Sequence, residues 1–183
     1  MNKDGAMPRP TLFLVGDSLI EFCDWQSWLT ELHAINLGRA GETVGELLAR
    51  LPEILALRPP PDSLLLMTGT NNVCREDFAF LTDYETILRQ CRAALPDTMI
   101  TVNSLLPIAL PYLASNVTAR LNSLLRELAT RQGAAYLDAH AALTDAGGLP
   151  LAGALSPDGV HLGQRGYQLW IETLHTHLQS LSS

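Results

Sequence analysis

Thr11-Leu12-Phe13-Leu14-Val15-Gly16-Asp17-Ser18-Leu19 joins an unbroken apolar run to a glycine turn and then to a segment of helical character. A strand exposed on one face would alternate apolar and polar residues. Four apolar residues in succession instead mark a strand covered on both faces, which is the condition inside a parallel sheet flanked by helices. Ser63-Leu64-Leu65-Leu66-Met67 repeats the pattern. Shorter runs at Ala34 to Leu37, Met99 to Leu105 and Ala134 to Leu137 bring the expected strands to five, each bounded by turn residues.

Between these runs lie longer segments with apolar residues three and four apart. Thr43-x-x-Glu46 and Thr82-x-x-Glu85 read as capping boxes, each opening a helix by pairing a hydroxyl and a carboxylate with exposed backbone donors. A helix from about Ser115 to Arg131 carries Leu121, Leu124, Leu125 and Leu128 on one stripe and closes at Gly133. The last helix follows Gly163 and turns Leu169, Trp170 and Leu174 inward. Strands alternating with helices through right-handed crossovers predict an α/β fold, a three-layer α/β/α sandwich around a five-stranded parallel sheet. Functional residues are then expected just past the carboxyl ends of the strands. Those places hold Gly16-Asp17-Ser18, Gly38 to Gly41, Gly69-Thr70-Asn71-Asn72, Leu106-Pro107 and Asp138 to His140. Pro59-Pro60-Pro61 is too short to separate domains. Residues 1–10 are therefore expected as a flexible leading segment and 11–183 as a single domain.

Composition excludes several classes. The 183 residues carry a net charge of -7 and no cluster of Lys and Arg, so nucleic acid is not an expected partner, because phosphate binding needs a basic stripe. No stretch is long and apolar enough to span a bilayer, and Met1 to Pro10 lacks the apolar centre of a signal peptide, so a cytoplasmic location is expected. Cys23, Cys74 and Cys91 are odd in number and widely spaced, which reads as free thiols, not as a disulfide framework or zinc knuckle. His175 and His177 lie two apart on a helix and project to different sides, so they read as a solvated pair. Trp25, Trp28 and Trp170 read as core or pocket wall. No metal or cofactor is expected. The metal-assisted alternative would have to gather Asp17, Asp138, His140, Asp158 and His161.

Ser18 stands where a hydroxyl would reach the rim of the sheet, although a helix-capping serine would occupy the same place. Ser156-Pro157-Asp158-Gly159-Val160-His161 sets a carboxylate and an imidazole three apart before the last helix. An imidazole can take a serine proton when a carboxylate orients it and stabilises its charge. Taken alone, the two residues also fit a turn and a structural histidine. Acyl transfer further needs donors aimed at a developing oxyanion. Gly41 offers a backbone N–H beside a helix start, and Asn71 offers an amide side chain; simple turn chemistry is the competing account of both.

Taken together and in order, these blocks resemble the SGNH (GDSL) hydrolases. Gly16-Asp17-Ser18-Leu19 is similar to the first block, Gly41 to the second, Gly69-Thr70-Asn71 to the third and Asp158-x-x-His161 to the last. The resemblance implies a flavodoxin-like SGNH fold and a serine esterase or acylhydrolase with Ser18 as nucleophile and Asp158 and His161 completing a triad. It places the oxyanion hole at Ser18 N–H, Gly41 N–H and the Asn71 amide. The family often has aspartate after the block-three asparagine, whereas this chain has Asn72. Gly69-Thr70-Asn71-Asn72 with Asn103 to Pro107 most resembles the small acylhydrolases similar to platelet-activating-factor acetylhydrolase catalytic subunits. The expected partner is a small-molecule ester, handled by a monomer or homodimer. A thioesterase or carbohydrate O-deacetylase would use the same triad, and a non-catalytic module would use the crevice to hold a small ligand.

Overall fold

The apolar runs become five strands in one all-parallel sheet. In the computed structural model, which describes residues 8–181, they are β1 (Thr11–Gly16), β2 (His33–Gly38), β3 (Ser63–Met67), β4 (Met99–Asn103) and β5 (Ala135–Leu137). Their order across the sheet is β2-β1-β3-β4-β5. In register, Phe13 lies beside Ile35 on one side and Leu64 on the other, so β1 is enclosed by neighbours on both edges. The order reverses direction at β1, which places the crevice of a doubly wound sheet beyond its carboxyl end. Most of the leading segment expected to be flexible falls outside the described residues. Within it, the Arg9 guanidinium donates to the Thr30 carbonyl at 2.8 Å.

The eight helices are α1 (Ser18–Glu21), α2 (Trp25–Trp28), α3 (Val44–Leu55), α4 (Thr70–Cys74), α5 (Leu81–Ala94), α6 (Val117–Arg131), α7 (Ala139–Ala142) and α8 (Gln164–Leu181) among the described residues. Side chains alternate across the strands and feed two separate cores. Phe13, Val15, Leu64, Leu66, Ile100 and Val102 pack against α3, α5 and α6. Leu12, Leu14, Leu65 and Met67 pack on the other face against Trp25, Trp170, Ile171 and Leu174. Burying a large apolar side chain contributes about 1.5–3 kcal/mol, so both layers hold the sheet firmly. Trp25 and Trp170 meet edge to face at 5.0 Å.

The capping box at Thr43 forms as expected: Glu46 N–H donates to Thr43 Oγ1 at 3.3 Å, and Thr43 N–H donates to Glu46 Oε2 at 2.8 Å. The expected box at Thr82 does not form. Helix α5 starts at Leu81, so Thr82 lies inside it and its carbonyl accepts from Thr86 Oγ1, while Glu85 accepts from Gln132 at the C-cap of α6. Three further expectations are corrected. Leu124 is exposed on α6, because the buried stripe runs through Leu121, Leu125 and Leu128. Trp28 is exposed as well, unlike the other two tryptophans. His175 and His177 are not a solvated pair: His175 bridges Glu31 and the Trp28 carbonyl, and half-buried His177 meets Thr101 Oγ1 at 3.2 Å. All three cysteines are free, with Cys23 and Cys91 buried and Cys74 partly so. No helix among the described residues is long and apolar enough to cross a membrane.

Candidate active site

Gly16 ends β1 because nothing larger fits there: a Cβ would fall 1.9 Å from the Met67 carbonyl oxygen of β3. The chain can therefore turn tightly against the neighbouring strand. Asp17 caps the short helix that follows by accepting from Leu19 N–H at 3.0 Å. Ser18 thus becomes the first residue of α1, at the sheet's carboxyl rim, and a helix's first N–H groups lack intrahelical acceptors.

The other half of the site is a compact loop before α8. Asp158 Oδ1 accepts from the backbone N–H groups of Val160 and His161, each at 3.0 Å. Its other oxygen, Oδ2, lies 2.6 Å from His161 Nδ1. The loop is tied down by Ser156 N–H to the His161 carbonyl at 2.8 Å and by Ala109 N–H to the Gly159 carbonyl at 2.7 Å. His161 Nε2 then meets Ser18 Oγ at 3.0 Å. Carboxylate, imidazole and hydroxyl form one hydrogen-bonded line, although 143 positions separate the imidazole from the hydroxyl in sequence. The His161 hydrogen bond, followed by the two backbone donors, holds Asp158 down at about 2, so it stays ionised. The Phe22 ring sits 5.6 Å from the His161 ring. Sequence reading missed Phe22, since an aromatic residue after a short helix carries no signal of its own.

Asp17 behaves in the opposite way. It is completely buried, and burial pushes it up to about 6, opposed by the Leu19 N–H, the neighbouring Thr70 hydroxyl and His161. Among the described residues, Asp17 Oδ2 and Thr70 Oγ1 nonetheless both lack a partner of good hydrogen-bond geometry.

The candidate anion donors occupy two adjoining loops. Gly41 has φ of +77°, a conformation that disfavours any residue with a Cβ. Among the described residues no acceptor meets its N–H. On α4, the Asn71 amide gives one N–H to the Glu42 carbonyl at 3.0 Å, which leaves its second N–H for another acceptor. Asn72 has a bridging role that an ionised carboxylate could not fill. Its Oδ1 accepts from Val44 N–H at 2.9 Å, and its Nδ2 donates to Asp77 Oδ2 at 2.7 Å. The structure does not gather the alternative metal set. Asp138 pairs with Arg126, and His140 meets Thr118. Among the described residues no group of three or more His, Cys, Asp and Glu converges as metal ligands. A cavity of about 460 Å³ lined by Phe78, Tyr112, Leu113, Val117, Leu121 and Leu124, among others, contains none of the candidate residues.

The model of the GDSL-like lipase/acylhydrolase family matches residues 14–169. The chain belongs to this family. Among relatives of this GDSL protein, platelet-activating factor acetylhydrolase IB subunit alpha2 of Homo sapiens is 28% identical over 183 residues, covering 94% of this chain and 78% of that one. The alpha1 subunit of Rattus norvegicus is 26% identical over 186 residues, covering 97% and 79%. Among solved structures, a GDSL-like lipase of Bacteroides thetaiotaomicron superposes with a TM-score of 0.79 over 94% of this chain and 89% of that one. At 17% identity, that likeness speaks to the fold alone.

Proposed function

We propose that this GDSL protein is a serine acylhydrolase that cleaves small, short-acyl esters through an acyl-enzyme on Ser18, within a single hydrolase domain over residues 11–183. One observation carries the reading: the unbroken line from Asp158 Oδ2 through His161 to Ser18 Oγ, with contacts of 2.6 and 3.0 Å. A hydroxyl becomes a competent nucleophile when a base within hydrogen-bond reach removes its proton and that base is itself oriented by a third group. His161 Nε2 takes the Ser18 proton as Oγ attacks the ester carbonyl. Asp158 keeps the Nδ1 proton in place and stabilises the imidazolium. The carbonyl oxygen, now negative, is held by Ser18 N–H, Gly41 N–H and the free N–H of Asn71. His161 then returns the proton to the departing alkoxide, and a water repeats the sequence to release the acid. The preference for short acyl groups is carried over from the relatives named as acetylhydrolases.

Ser18→Ala tests the assignment. Turnover of a short-chain aryl ester should fall by about three orders of magnitude or more, and covalent labelling by a fluorophosphonate should disappear. A variant that retains most activity would refute the nucleophile. A parent protein that never takes the label would favour a ligand-binding module. Short acyl esters, acyl thioesters and acetylated sugars compared at equal concentration separate esterase from thioesterase and deacetylase.

A further inference from the structure

A buried ion pair stands directly behind the proposed oxyanion donors, and the triad itself makes no use of it. Glu42 is only 3% exposed. Arg50 of α3 grips its carboxylate with two hydrogen bonds of 2.7 Å, Nε to Oε1 and Nη2 to Oε2. Nη2 of the same guanidinium also reaches the Leu37 carbonyl of β2 at 3.1 Å. A strand end, a helix and the loop between them are thereby joined at one point. Burying two charges gains little over an apolar pair, because their attraction must first offset their lost hydration. What a forked guanidinium supplies is fixed geometry.

That geometry leads to Asn71. The main-chain carbonyl of Glu42 accepts one N–H of the Asn71 amide at 3.0 Å. The loop around it is held on every side: Ala40 N–H donates to Glu21 Oε2 at 2.6 Å, Glu42 N–H to the Arg39 carbonyl at 3.2 Å, and Val44 N–H to Asn72 Oδ1 at 2.9 Å. The Gly41 N–H is left over.

We propose that Glu42 and Arg50 are positioning residues of the oxyanion site. By holding the Glu42 carbonyl still, they set the rotation of the Asn71 amide, so that its second N–H and the Gly41 N–H are presented together. The proposal rests on the serine-hydrolase reading and extends it to two residues outside the four motif blocks. Donors stabilise developing charge best when they need no reorientation as it forms. Loosening the Glu42 carbonyl therefore slows the chemical step and leaves ground-state binding nearly untouched.

A double-mutant cycle tests this. The variant E42Q/R50M removes both charges at once, so no unpaired ion remains buried. R50K keeps the charge but loses the fork, and it decides the question if the first variant does not fold. Each is built with Asn71 and with Asn71→Ala, and kcat and KM are measured on a short-chain aryl ester alongside thermal melts. With Asn71 present, kcat should fall about tenfold or more while KM stays within about threefold. With Asn71→Ala, the same changes should cost less than about twofold, because the group they position is gone. Equal losses in both backgrounds would show a general structural effect and overturn the proposal, as would an unchanged kcat with Asn71 present. If Asn71→Ala by itself leaves kcat unaltered, the oxyanion assignment fails, an outcome distinct from failure of the pair alone.

Discussion

Replacing Asp17 with asparagine should remove a pH-dependent weakness from the fold. Asp17 is fully buried beside Ser18; one oxygen accepts from Leu19 N–H, and the other meets no partner of good hydrogen-bond geometry among the described residues. Burial raises its pKa from 3.8 to about 6. A carboxyl raised in the folded state binds more protons there than in the unfolded chain between those two values. Stability therefore falls as pH rises through that window, and the full cost is present above it. At about 1.4 kcal/mol for each tenfold change in acidity, that rise costs about 3 kcal/mol at neutral pH. Asparagine is nearly the same shape, neutral at every pH, and can still accept from Leu19 N–H. The advantage of Asp17→Asn over the parent should thus grow by about 3 kcal/mol between about pH 3.5 and pH 7. For a chain of this size that corresponds to roughly 6–12 °C in melting temperature. Urea unfolding of both proteins, followed by far-UV circular dichroism at constant ionic strength, measures it. The difference between the two cancels Asp158 and every other group they share. A gap that stays constant across the series would refute the reasoning, since Asp17 would then not be titrating under the strain of burial.

Other substitutions probe the site from different sides. Asn71→Ala should lower kcat by about a hundredfold with little change in KM; steady-state kinetics showing an unchanged kcat would move the oxyanion site elsewhere. Asp158→Asn should cost about 10⁴ in kcat, by analogy with the same change in a serine-protease triad, because the imidazole loses both its tautomer control and its counter-charge. Melts should stay close to the parent's, since Asp158 is half exposed. Asn72→Asp sets a second carboxylate against Asp77 Oδ2, now 2.7 Å from the Asn72 amide. It should destabilise the protein by about 1–3 kcal/mol at pH 7. Because two facing carboxylates raise one pKa, that loss should shrink as pH falls from neutral toward about 4, the ordinary carboxylate value. Equal unfolding midpoints for parent and variant at pH 7 would contradict the bridging role of Asn72.

Much of the fold was legible because it follows from short-range rules. Leu12 to Val15 and Leu64 to Met67 could only be strands covered on both faces, and the register found for β1 and β3 agrees. The box at Thr43 needed only residues three apart to pair with each other's backbone. The failure at Thr82 has the same root: a capping motif fits wherever it occurs, and here burial of Phe80 and Tyr84 draws the helix start to Leu81. Leu124 and Trp28 failed for a related reason. Apolar periodicity identifies a helix face but not how wide a stripe its neighbours cover.

The sequence by itself determined the succession of strands and helices, the strand-turn-helix that presents Ser18, and the Asp158-x-x-His161 spacing that lets one carboxylate grip its own loop and the imidazole together. These are local consequences of residue type and spacing. Only the tertiary structure decided that His161 reaches Ser18, that Asn71 donates to the Glu42 carbonyl while Arg50 pairs with the Glu42 carboxylate, and that Asn72 spans from Val44 to Asp77. Such contacts join residues far apart in the chain, and their partners are chosen by how strands and helices pack, which no short window of sequence contains.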